Sequence, residues 1–297
     1  MADVILLDGG MGQELVHRSG EEPTPLWATR VMLDHPGMVQ AIHADYFAAG
    51  ATLATVNSYA IHRDRLVGHG VEDLFESLLA RALDEARAAR AAHGSGRIAG
   101  SLGPLAASYR PELHPPHDRA VALYAEVARL LAPGVDLLLC ETVASLAHAR
   151  AVLEGALSTG LPVWLSATVD DEDGRRLRSG EPVSEFAALA RDGAAAVLAN
   201  CSAPEAMPAA LEALAAADLP FGAYANGFHE ITKDFLRDSP TVSSLGARTD
   251  LSPEGYARSV LGWVEQGAGI VGGCCEIGPA HIAELARQLR AAGHRIV

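Results

Sequence analysis

Two adjacent cysteines, in Gly272-Gly273-Cys274-Cys275, are the strongest chemical signal in this sequence. On a regular strand, neighbouring side chains point to opposite faces. Two glycines just before them permit a sharp departure of the backbone, so both sulfurs can turn toward one ion. A third thiol, Cys201, follows the apolar run Ala196-Val197-Leu198-Ala199-Asn200. Three thiolates with one open coordination position suit a catalytic zinc ion, whereas four protein ligands usually mean a structural one. Buried thiols or a vicinal disulfide are the alternative for these three. The fourth cysteine, Cys140, lies inside Val135-Asp136-Leu137-Leu138-Leu139-Cys140 and reads as a small buried hydrophobe.

Two carboxylates stand where apolar runs end. Asp8 leads into Gly9-Gly10-Met11-Gly12, a turn that lets a ligand approach backbone amides, and Glu141 follows Cys140. An acid beside a core needs a partner or a ligand. The pair suits an α-ammonium group, with a salt bridge to a neighbouring residue as the alternative. Asn57-Ser58-Tyr59, Ser101-Leu102-Gly103-Pro104 and Tyr224-Ala225-Asn226-Gly227 could offer hydrogen bonds to a polar substrate, though loops need the same residue types. Among the twelve histidines, His62, His114, His117 and His229 fall in loops, but none shows ligand spacing. No Gly-x-Ser-x-Gly elbow supports a serine hydrolase.

The elements that must position these groups alternate between short apolar runs and amphipathic helices. Strands are expected at residues 4–8, 51–56, 97–101, 135–140, 163–168, 195–200, 221–224 and 269–273. Their nearly continuous Val, Ile, Leu and Ala content marks strands buried on both faces. Helices are expected at residues 73–92, 118–131, 146–157, 183–192, 206–217, 252–266 and 279–292. The clearest is 73–92, with Leu74, Leu78, Leu79 and Leu83 on one stripe. Eight strands with intervening helices over residues 1–297 predict an α/β protein built as a single (β/α)₈ TIM barrel, whose strand ends share one rim where chemistry is done. No Gly-x-Gly-x-x-Gly follows the first strand, which argues against a dinucleotide fold. Residues 170–182 and 228–250 read as long loops over the barrel mouth.

Composition narrows the partners. Hydrophobic residues make up 49% of the chain and its formal charge is -14, a balance that disfavours nucleic acid as a partner. No apolar run approaches the ~20 residues that span a bilayer, and no signal peptide is visible. A cytoplasmic protein with reduced thiols is expected, acting on small molecules.

Taken in order, Leu7-Asp8-Gly9-Gly10-Met11-Gly12, Val56-Asn57-Ser58-Tyr59, Gly100-Ser101-Leu102-Gly103-Pro104, Glu141-Thr142, Asn200-Cys201-Ser202 and Gly272-Gly273-Cys274-Cys275 resemble the homocysteine S-methyltransferase family. The resemblance implies that Cys201, Cys274 and Cys275 bind Zn²⁺ and that Asp8 and Glu141 meet the amino group of homocysteine. It implies that Gly9 brings backbone close to the amino acid, and that Asn57 and Ser58 line the pocket. Two positions depart from the family pattern: Gln13 stands where Thr is frequent, and Glu276-Ile277-Gly278 stands where small, basic or hydroxyl residues follow the cysteines. These flank the metal, so they are where substrate or donor choice would diverge.

The expected reaction is methyl transfer from a sulfonium donor, S-methylmethionine or S-adenosylmethionine, to the homocysteine thiol, giving methionine. A negatively charged thiolate site favours a cationic donor. Betaine is disfavoured because aromatic cages recognise it and only 5% of residues are aromatic. Glu276 would strengthen the cation preference if it faces the pocket; otherwise it is an acid at the start of the helix beginning near Pro279. Alternatives are another thiol or selenol acceptor, a zinc hydrolase, or a barrel with a non-catalytic thiol cluster.

Overall fold

The computed structural model describes residues 2–21, 26–229, 231 and 246–297. Most of the loop expected at 228–250, Pro240 included, lies outside the described residues.

The strands are β1 (Asp3–Leu6), β2 (Leu53–Thr55), β3 (Arg97–Leu102), β4 (Leu137–Val143), β5 (Val163–Ala167), β6 (Ala196–Asn200), β7 (Phe221–Ala225), β8 (Ile270–Gly273) and β9 (Arg295–Ile296). All pair in parallel, in the order β2-β3-β4-β5-β6-β7-β8-β1-β9. The ring closes between β1 and β2. Leu7 bridges Leu53, Thr52 N donates to Leu6 O at 2.7 Å, and Asp8 N donates to Leu53 O at 3.1 Å. This is the expected (β/α)₈ barrel. The two-residue β9 is an addition, pairing with Asp3 and Val4 at the opposite end from the site.

Helices α1 (Met11–Ser19), α2 (Trp27–Asp34) and α3 (Met38–Ala49) occupy the connection from β1 to β2, where no helix was expected. Glycine breaks the pattern at the start of α1, whose N-cap is Gly10, with no side chain to mark it. A short α4 (Arg63–Leu66) follows β2, and α5 (Phe75–His93) then buries Phe75, Leu78, Leu79, Ala82, Leu83, Ala86 and Ala89. That stripe recurs at the helical period of three and four. Leu74, expected on it, sits one residue too early and is exposed. The remaining helices are α6 (His117–Leu131), α7 (Leu146–Leu157), α8 (Val183–Ala190), α9 (Met207–Leu214), α10 (Pro253–Glu265) and α11 (Pro279–Ala291).

Cys140 is fully buried in β4, as expected of a packing residue. β4 itself runs three residues beyond its expected end, with its register to β5 shifting between Cys140 and Val143. His62 and His148 are buried too, and burial holds both far below the usual histidine range, His62 at about 3. They are neutral packing groups.

Candidate active site

The expected residues converge where the strands end. Six described non-glycine residues have positive φ, and five of them cluster here: Ala106, Tyr109, Thr142, Cys201 and Glu276. Such backbone is strained for residues with a Cβ and persists only where its surroundings enforce it. At Cys201, φ is 51°, which turns the chain out of β6. Cys201 N donates to Tyr224 O at 3.2 Å and Cys274 N to Ala225 O at 2.9 Å, so the ends of β6 and β8 both lean on β7. As a result the three sulfurs of Cys201, Cys274 and Cys275 lie within 4.8 Å of one another, with Cys201 and Cys275 3.7 Å apart.

This set fits a metal ion. Sulfurs ~2.3 Å from a tetrahedral ion stand roughly 3.8 Å apart, and thiols are soft donors that ionise on binding. Contact with the Cys274 and Cys275 thiols pulls the Cys201 thiol well below its usual range, and contact with Cys201 pushes theirs up.

Glycine has a steric reason at two positions. A Cβ on Gly9 would fall 2.0 Å from Ile277 O, and one on Gly273 would fall 2.2 Å from Ile277 Cγ2. Ile277 is wholly buried and fills the space between the first and last strand ends. The departure from the family pattern at Ile277 is therefore a packing plug. Glu276 does not line the cavity. It faces a neighbouring groove beside Glu14 and His17, with its carboxylate 3.8 Å from His17 Nε2.

The cavity beside the sulfurs has a volume of about 120 Å³. Asp8, Gly9, Asn57, Glu141, Cys201, Cys274 and Cys275 all line it, as does Gln13. Asp8 is clamped by Thr55, whose N–H donates to Oδ2 at 2.7 Å and whose hydroxyl donates to Oδ1 at 3.0 Å. Glu141 accepts from the Ser101 hydroxyl and, at 3.2 Å, from Tyr224 Oη. Burial pushes each carboxyl up to about 7. Among the described residues, no Lys, Arg or His lines the cavity beside either acid.

Ser58 is a correction. It was expected to line the pocket, but it is fully buried and does not. Its hydroxyl donates to Ser101 O at 2.8 Å and so braces β3 beside Glu141. Position in a turn motif cannot reveal which way a hydroxyl points.

Sequence reasoning assigned no role to Thr55, Asn200 or Tyr109. Asn200 Oδ1 accepts from Thr142 N at 2.9 Å and Ser166 Oγ at 2.8 Å, and its Nδ2 donates to Thr142 Oγ1 at 3.0 Å. It thereby holds the strained residue next to Glu141. Asn200→Ala strands a buried N–H and hydroxyl, and is expected to cost about 2–4 kcal/mol. Thermal unfolding checks this; an unchanged melting temperature would refute the bracing role. Tyr109 places its Oη 2.9 Å from Cys201 Sγ. Nothing in its sequence neighbourhood marks it, because a positive φ in a loop has no residue signature at tyrosine.

Comparison with known proteins agrees with this geometry. A family model described as homocysteine S-methyltransferase matches residues 5–289. The chain is 31% identical to homocysteine S-methyltransferase of Escherichia coli (strain K12), with 95% of this chain and 94% of the relative aligned. It is 25% identical to selenocysteine Se-methyltransferase of Brassica oleracea var. italica, over 96% of this chain and 88% of the relative. The metallated crystal structure of the homocysteine methyltransferase MmuM from Escherichia coli superposes with a TM-score of 0.78 at 28% identity, covering 96% of each chain.

Proposed function

The chain belongs to the homocysteine S-methyltransferase family, and on that premise we propose that it transfers a methyl group from a sulfonium donor to the thiol of homocysteine, giving methionine. The ion is zinc, held by Cys201, Cys274 and Cys275. The observation that carries this is one cavity bringing three thiols together with two buried carboxylates that have, among the described residues, no protein cation beside them. A hydrolase would need a general base beside the ion, and the lining residues offer none free of another role.

Zinc, when bound, keeps the acceptor sulfur ionised at neutral pH, where a free thiol with pKa ~8.5 is mostly protonated. The chain's own residues do the rest. Asp8 and Glu141 take the α-ammonium, which supplies the positive charge both lack. Gly9 lets the backbone close on the amino acid, and Asn57 lines the same wall. At the amino end of α1, the N–H groups of Met11, Gly12 and Gln13 precede the first intrahelical donor, Glu14 N, and these residues line the cavity; a helix start of this kind suits the substrate's carboxylate. An acidic lining without cationic side chains attracts a positively charged donor. Once the acceptor sulfur is ionised, the transfer requires no general base from the protein.

The test is a donor screen. Zinc-loaded protein with homocysteine should form methionine from S-methylmethionine or S-adenosylmethionine and far less from betaine, followed by mass spectrometry. No methionine from any donor removes the acceptor assignment. Selenocysteine belongs in the same screen, since a relative is named for that acceptor and a selenol is a softer nucleophile for the same site.

A further inference from the structure

A site built to make a sulfur attack a methyl group carries a hazard, because its own cysteines are sulfur nucleophiles beside the same electrophile. Cys201 lines the cavity, and one feature of its surroundings bears on this. The phenol of Tyr109 lies 2.9 Å from Cys201 Sγ, and a metal-bound thiolate has no proton, so the O–H must donate to the sulfur. The phenol is costly to place. It is delivered by a loop with two strained residues, Ala106 at φ 59° and Tyr109 at φ 61°. Tyr109 is buried in one cluster with Cys201 and Phe228, and Cys274, Cys275 and Ile231 pack against that cluster.

The ring is also held from behind. The Arg178 guanidinium lies 5.5 Å from its centroid. Arg178 pairs in two-pronged fashion with Asp171, both bonds at 2.9 Å, and Asp171 accepts the N–H of Ala203 at 2.8 Å. The loop expected over the barrel mouth, residues 170–182, thus ties Tyr109 to the turn that carries Cys201. Among the described residues, Tyr109 is the only non-cysteine side chain with a hydrogen bond to a sulfur of the cluster.

We propose that Tyr109 is a positioning residue that protects Cys201 from methylation: its hydrogen bond occupies a sulfur lone pair and withdraws charge, leaving the substrate sulfur as the better nucleophile. The proposal rests on the methyl-transfer function above. The step it suppresses is a displacement in which Cys201 Sγ forms a bond to the methyl carbon. The bond from that carbon to the donor's sulfonium sulfur breaks, and its electron pair leaves with the donor as a neutral thioether. The thiolate's negative charge and the sulfonium's positive charge cancel, and no other reactant is needed.

The test is Tyr109→Phe, which removes only the hydroxyl. Zinc-loaded wild type and variant are incubated with S-methylmethionine without acceptor, and in parallel with methyl iodide, then digested for peptide mass spectrometry. Methylation of the Cys201 peptide should rise about 10- to 100-fold in the variant, the range set by a hydrogen bond to a charged acceptor. Equal methylation of Cys201 in both proteins overturns the proposal. Methyl iodide needs no binding site, so its arm reports on Tyr109 even if the donor screen finds no transfer to homocysteine. Should Tyr109→Phe fail to hold zinc, the wild type alone decides: methyl iodide should mark Cys274 and Cys275 before Cys201, and Cys201 reacting first refutes the protection.

Discussion

Cys274→Ser should leave the protein folded and largely without metal, and should lower methyl transfer by more than about 100-fold, the loss that even an outer-shell partner of a metal site can cause. The barrel does not depend on this sulfur. Cys274 is half-buried, and its backbone keeps its ladder bond to Ala225 whatever the side chain. The metal does depend on it. Serine shortens the reach and presents an alcohol that scarcely ionises near neutral pH, so two sulfurs remain where three were within 4.8 Å. Metal per chain by plasma emission, together with the rate of methionine formation, checks both halves. Stoichiometric zinc in Cys274→Ser would sink the ligand assignment.

Asp8→Asn and Glu141→Gln should each lower kcat/KM for the acceptor by roughly 100-fold, about 3 kcal/mol, because each removes one of two charges facing a buried ammonium. Apparent zinc content should not change, since neither group is near enough to belong to the sulfur cluster. The pH dependence carries a definite sign. Burial raises both carboxyls to about 7 in the free protein, so each is largely protonated in mild acid. An ammonium is met by the ionised form, so binding must expel those protons. Acceptor affinity should therefore fall as pH drops below about 7, by about tenfold per unit for each carboxyl that must lose its proton. In Asp8→Asn the fall should be shallower by one proton. A flat profile from pH 5 to 8 would show that neither acid meets the amino group.

These expectations separate two kinds of knowledge. Runs of Val, Ile, Leu and Ala with helical stripes between them were enough to read eight strands and seven of the helices that follow them, because strands covered on both faces must be apolar throughout. The cysteines were legible for a related reason. Reactive residue types at strand ends on a barrel share one rim, whatever their separation in sequence. Asp8 and Glu141 stood out because an acid closing an apolar run needs a partner or a ligand.

What sequence left undecided depends on direction and on partners from distant strands. Ser58 and Asn57 are neighbours, yet only Asn57 faces the cavity. Past Cys140, β4 is braced by Asn200, 58 residues away, which bonds both the N–H and the hydroxyl of the strained Thr142. Glu276 follows a cavity-lining cysteine but turns away at φ 64° toward His17. Tyr109 meets Cys201 across 92 residues, through a loop whose shape no local pattern announces. The amino-acid sequence by itself determined which chemistry was available and which rim would hold it, since both follow from residue type and period. Tertiary structure alone decided which groups face the cavity and which brace them, because hydrogen bonds between strands and backbone torsions set that choice.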